Sequence, residues 1–129
     1  METVTGHGTL DEIQQTLDLL WDRHPEVSAM ARMHMELAAC EIGANICKHS
    51  GGGQPVGMRM KAEVSGSNVR VSFADDGQLA EVRLDAVTMP SDTAEQGRGL
   101  AIAVAILDKL SFRRDAAVNR WTLVRRLSD

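Results

Sequence analysis

The hydrophobic period of the chain changes at one sharp break, and that change limits the folds open to it. Over residues 9 to 50 apolar side chains recur at steps of three and four, and over 56 to 73 at every second position. The first spacing lays a stripe along a helix; the second fills one face of a strand. Between them Gly51, Gly52, Gly53 and Pro55 end the helical stretch. A chain patterned in this way buries helix stripes against a sheet face.

Thr9 followed by Glu12 has the capping-box pattern, and the stripe Leu10, Ile13, Leu17, Leu20 predicts an amphipathic helix over 9–23. Pro25 suits the first turn of a second helix, whose apolar positions Met30, Met33, Leu37, Cys40, Ala44 and Cys47 carry it to about Ser50. Val56, Met58, Met60, Ala62 and Val64 alternate with polar residues or glycine, as do Val69, Val71 and Phe73 beyond a turn at 65–68, so these runs predict a hairpin. Residues 76 to 98, with Pro90 and the polar run Ser91 to Gln96, read as a long loop with one short helical turn around 79–86. A buried helix is expected from Leu100 to about Leu110, and the remainder, with AAVN at its turn, reads as a closing hairpin. Strict β-α alternation is missing. The fold class is therefore α+β: a two-layer sandwich, helices on one face of a largely antiparallel sheet, in a single domain over residues 1–129.

The chain carries 14 Lys and Arg against 18 Asp and Glu, a net charge of -4, and only 3% aromatic residues. Both features speak against a general polyanion binder and against base stacking, so no direct nucleic-acid partner is expected. The charge is uneven: residues 1–26 hold six acids against Arg23, whereas 113–126 hold Arg113, Arg114, Arg120, Arg125 and Arg126 against Asp115. Two readings fit, an ion-pair complement between the ends of the fold or a charged partner surface. Cys40 and Cys47, seven apart in a helical pattern, are expected as reduced core thiols. No basic stretch precedes an apolar run at the N-terminus and no apolar run reaches 18 residues, so the expectation is a cytoplasmic protein with no membrane association. His7, His24, His34 and His49 lack metal-ligand spacing and read as ordinary residues, although His49 follows Asn45 closely enough to approach a phosphate there.

Three polar interruptions carry the chemistry. Glu41 and Asn45 sit one turn apart in an otherwise apolar helix. Either a hidden partner neutralises the acid, or the pair supplies a base for a hydroxyl and a neutral oxygen for Mg²⁺. Asp75 continues the inward parity of Val69, Val71 and Phe73 and points a carboxylate at the core, where the exocyclic amine of a purine would be a suitable donor and Gly77 would let a flat ring approach; a plain Asp-Asp-Gly turn is the other reading. Gly97-Arg98-Gly99 precedes the third helix, where free amides and an arginine fork suit an anion, and where glycines also occur simply for the loop. Taken together, the three describe a nucleotide site without a Walker loop.

These motifs resemble the GHKL ATPases, and within them the anti-sigma-factor serine kinases of bacterial partner-switching systems. ELAACEIGANICKHS resembles the N box, VSFADDG the first glycine box, QGRGLAIAVAILDKL the second glycine box with its helix, and FRRDAAVNRWTLVRRL the closing hairpin. The resemblance implies the ATP-binding fold of that family, with ATP and Mg²⁺ as cofactors. It makes Glu41 the catalytic base, Asn45 the Mg²⁺ ligand, Asp75 the adenine-reading acid with Gly77 beside it, Gly97, Arg98, Gly99 and Leu100 the phosphate clamp, and Thr122 a helper in adenine binding. It implies phosphoryl transfer to a serine of an anti-anti-sigma, STAS-type partner, sequestration of a sigma factor or similar regulator, and a possible homodimer. Gly77 is followed by Gln78-Leu79-Ala80 where the family often has a second glycine or a Pro-Phe pair. A non-catalytic binding module on the same fold is the alternative that this departure carries.

Overall fold

The structure is a computed structural model that describes residues 1–50, 54–77 and 95–128, with the main chain alone at 49–50 and 95–99. Its elements are β1 (Glu2–Val4), α1 (Thr9–Arg23), α2 (Ala29–Asn45) running into a π turn at Ile46–Ser50, β2 (Gly57–Ser65), β3 (Asn68–Asp75), α3 (Glu95–Ile106), β4 (Lys109–Asp115) and β5 (Val118–Arg126). The strands form one sheet in the order β1-β2-β3-β5-β4, each neighbouring pair antiparallel. The helices cover one face: α1 meets β2, α2 meets β3 and β5, and α2 packs between α1 and α3. This is the two-layer α+β arrangement that the patterning predicts.

Strand parity decides what the helices bury. Met58 and Met60 of β2, Val69, Val71 and Phe73 of β3, and Trp121 and Leu123 of β5 all face inward and are buried, with Phe112 of β4 stacked on Trp121 at 4.6 Å between ring centroids. Ile13, Leu17 and Leu20 of α1 meet this layer as expected. In α2 the buried face is Ala31, Met35, Ala38, Ala39 and Ile42, while Met30, Met33 and Leu37 of the predicted stripe are 42%, 53% and 43% exposed. The helix is apolar nearly all round, so periodicity alone does not choose its face. Close approach to the sheet does, because the alanines let the backbone come nearer.

Local chemistry shifts several predicted boundaries. The N-cap of α1 is Gly8, and the Thr9 hydroxyl accepts from the Gly6 amide at 2.9 Å in place of a capping box with Glu12. Pro25 lies in the connection before α2, which Ser28 caps by accepting from the Ala31 amide at 3.0 Å. The third helix starts at Glu95, so Gly97, Arg98 and Gly99 lie within its first turns, and it stops at Ile106. Asp108 donates its amide to Val124 at 2.9 Å, which takes the chain into β4 in place of the last helical turn. Strand β1 is too short to show alternation in sequence and is held by the Met60 amide, which donates to the Met1 carbonyl at 2.8 Å. The two cysteines are free thiols, both half-buried, with Cys40 packed against the core. The anticipated ion-pair complement between the chain ends is not among the described pairs: Arg126 meets Asp108, and Arg125 is buried, its Nε donating to His34 Nδ1 at 3.3 Å. The helix stop at Gly51–Gly53 and the loop with a helical turn around 79–86 lie outside the described residues. Among the described residues no helix is long and apolar enough to cross a membrane.

The β4–β5 hairpin turns on Ala116 and Ala117, whose φ values of 51° and 62° lie in the left-handed region. Two consecutive positive φ values between strands demand Asn-Gly chemistry, and each alanine there costs roughly 1 kcal/mol or more. Replacing the pair with Asn and Gly should raise stability by about 1 to 2 kcal/mol, read as a higher thermal midpoint with an unchanged circular dichroism spectrum.

Candidate functional site

The three polar interruptions converge because of the directions in which the helices run. The Ser28 amide donates to the Leu127 carbonyl at 2.8 Å, so α2 begins where β5 ends and β3 begins. Its 17 residues rise about 25 Å, matching the roughly 26 Å of an eight-residue strand, so the helix finishes at the Asp75 end of β3. Consistent with this, Cys47 shares a small cavity with Gln54 and Pro55, just before the strand whose Met58 pairs with Asp75. Helix α3 ends beside Val124 and packs on α2 and β4, so it runs the opposite way and begins at that same end of the sheet. The C-terminal half of α2, the tip of β3 and the positive end of the α3 dipole thus meet at one edge.

Asp75 is 2% exposed. Its Oδ1 accepts from the Gly77 amide and from Asn119 Nδ2, each at 3.0 Å. Arg114 closes the ring, donating through Nη1 to Asn119 Oδ1 at 2.9 Å and to the Gly77 carbonyl at 3.0 Å. The other oxygen, Oδ2, is buried with no hydrogen-bond partner among the described residues. The two oxygens of Asp75 therefore differ. Oδ1 makes the turn, and Oδ2 is an acceptor that no described residue fills.

Glu41 and Asn45 are both half-buried on the last turns of α2, and Glu41 has no hydrogen bond or ion pair among the described residues. Gly77 is held beside Asp75 by its own amide, which donates to Oδ1. Gly97, Arg98 and Gly99 fall in the opening turns of α3, and Leu100 packs against the core. Thr122 is a correction. It pairs with Ser72 on the strand positions whose side chains leave the helices, so it points to the opposite face of the sheet from Asp75. Asn119, fully buried and opposite Asp75 in register, occupies the place beside the acid. Its signal is parity: a polar residue at the inward position of a strand otherwise filled there by Trp121 and Leu123.

Beside Glu41, burial pushes the Cys40 thiol up from its ordinary pKa, and the carboxylates of Glu36 and Glu41 add to that rise. This thiol stays protonated at neutral pH.

A family model described as the histidine kinase-like ATPase domain matches residues 8–125. The chain belongs to the histidine kinase-like ATPase family. The catalytic domain of the histidine kinase ThkA, in a nucleotide-free form, superposes on this ATPase domain with a TM-score of 0.60 at 14% identity, over 99% of this chain and 97% of that one. The histidine kinase AdeS of Acinetobacter baumannii superposes with a TM-score of 0.55 at 14% identity, over 98% of this chain and 68% of that one. At such identities these likenesses concern the fold. No curated protein matches the chain. The domain is thus a GHKL-type, ATP-binding, kinase-like module, of a family that binds ATP typically with Mg²⁺.

Removing the Glu41 charge should lower the Cys40 pKa and speed its alkylation. In Glu41→Gln the Cys40 peptide, followed by mass spectrometry, should react faster with iodoacetamide at pH 8 than in the wild type, because a smaller rise leaves more thiolate. An unchanged rate would mean that Glu41 does not contribute to the rise at Cys40.

Proposed function

We propose that this domain is an anti-sigma factor with serine kinase activity, moving the ATP γ-phosphoryl group to a serine of an anti-anti-sigma, STAS-type protein and sequestering a sigma factor or similar regulator when that partner is modified. The observation that carries the nucleotide part is the buried Oδ2 of Asp75, which has no hydrogen-bond partner among the described residues. It is an acceptor in a dry place, which fits the exocyclic amine of adenine and repels a carbonyl at the same position. The partner class rests on the resemblance of the three boxes to the partner-switching kinases.

Each residue then has one task. Asp75 takes the amine on Oδ2 while Asn119 and Gly77 hold Oδ1 fixed. Asn45 offers a carboxamide oxygen to Mg²⁺, a hard ligand for a hard cation. The opening amides of α3 are assigned to the phosphates, and the resemblance assigns Arg98 to them as well. Glu41 accepts the proton of the serine hydroxyl. Bound Mg²⁺ and ATP supply the phosphoryl group and the charge that shields it; positioning does the rest. A partner-binding module without transfer is the second reading, carried by Gln78-Leu79-Ala80 after Gly77.

Titration calorimetry and radiolabel transfer to a STAS-type protein test these tasks separately. Asp75→Asn should weaken ATP binding by about 1.5 to 3 kcal/mol and keep the fold, because the new carboxamide can still accept from Gly77 and Asn119. Glu41→Ala should keep ATP affinity and melting temperature while slowing transfer on the order of a hundredfold or more. Asn45→Ala should lose the Mg²⁺-dependent part of binding. Tight partner binding by the wild type with no ATP-dependent label on the partner's serine would favour the second reading.

A further inference from the structure

The sheet face turned away from the helices is unlike the rest of this acidic chain. Register places Ser72 of β3 opposite Thr122 of β5, and Thr122 opposite Ser111 of β4, so three hydroxyls stand in one row across three strands. Lys61, opposite Ser72, closes the row on β2. The next row toward the Asp75 end carries Arg59, Arg120 and Arg113, and the row on the other side carries Arg70 and Lys109. Together these side chains line a groove of about 530 Å³ whose lining contains six cations and no carboxylate. Glu63, next to Arg70 in register, lies outside it.

Arg59 is engaged by Glu2 at 2.9 Å, but Lys61, Arg70, Lys109, Arg113 and Arg120 make no ion pair among the described residues. Arg113 and Arg120 face one another directly across strands, an arrangement that destabilises a sheet through like-charge repulsion. Nothing in the described packing offsets that repulsion; a bound anion would. Hydroxyl donors on the floor and guanidinium forks on the walls match the oxygens of phosphate. The volume lies in the range of small-molecule sites. The rings of Phe73, Phe112 and Trp121 belong to the other face, so the groove offers neither a stacking platform for bases nor an apolar anchor for a protein. A second copy docked face to face would oppose like charges.

We propose that the open sheet face binds a small, multiply charged phosphate-bearing anion, seated on the Ser72–Thr122–Ser111 row and clamped by Arg70, Arg113 and Arg120. The site is separate from the Asp75 carboxylate, which points to the opposite face, and does not depend on the nucleotide reading.

Tripolyphosphate is the probe, titrated by calorimetry into the full chain at 150 mM salt. The wild type should bind, Asp75→Asn should bind equally well, and Arg113→Ser with Arg120→Ser should bind about tenfold more weakly or worse. Ser72→Ala with Thr122→Val keeps every charge and should also lose affinity, which a diffuse basic surface would not. The arginine variant should melt no lower than the wild type, since it relieves a like-charge pair. The proposal is overturned by absence of wild-type binding, by affinity unchanged in either outer-face variant, or by hexaglutamate or duplex DNA binding the groove more tightly than tripolyphosphate.

Discussion

The antiparallel register between β3 and β5 is the constraint on which the rest of the structure depends. Pairing Phe73 with Trp121 puts the two largest core rings on neighbouring strands of the helix-covered face. The same register sets Asp75 opposite Asn119 at the edge of that face and Ser72 opposite Thr122 on the other. A slip of one residue would turn Phe73 and Trp121 to solvent and bring basic side chains under the helices. Core packing therefore fixes the polar pairs as a consequence. The buried acid and the row of outer hydroxyls are two consequences of one alignment.

Helix direction converts that alignment into a site. Helix α2 is pinned at its start by the Ser28 bond to Leu127, and α3 at its end by the step into β4. Each is pinned at the end of the sheet far from Asp75, so their free ends meet beside it. The acid is held by a closed ring through Gly77, Arg114 and Asn119 that uses Oδ1 alone. A carboxylate held on one oxygen, with no partner for the other among the described residues, leaves an acceptor that a ligand can use.

Much of this was legible in the sequence where a single period governs the residues. The bounds of α1, the β2–β3 hairpin and the inward parity of Asp75 follow from spacing alone, and so does the pairing of Glu41 with Asn45 on one helix. Legibility failed where tertiary contacts choose between equivalent options. The face of α2 was set by how closely its alanines approach the sheet, and the starts of α2 and α3 by caps and connections. Thr122 was placed by motif likeness, whereas strand parity, read from Trp121 and Leu123, points to Asn119. The uneven charge was visible too, but only the register shows that Arg113 and Arg120 gather with Lys61 and Arg70 on the open face and do not pair with the N-terminal acids.

The central claim is that the edge formed by Asp75, Asn119 and the start of α3 receives the adenine nucleotide. Nitrogen-proton correlation spectra of the labelled chain, recorded as ATP and Mg²⁺ are added, test it most directly. The account predicts that the largest shifts fall on the Gly77 amide, the Asn119 side-chain amide and the first amides of α3, and that adenosine alone moves the first two. Shifts confined to the open sheet face around Ser72 and Thr122, with Gly77 and Asn119 unmoved at saturating ATP, would contradict it.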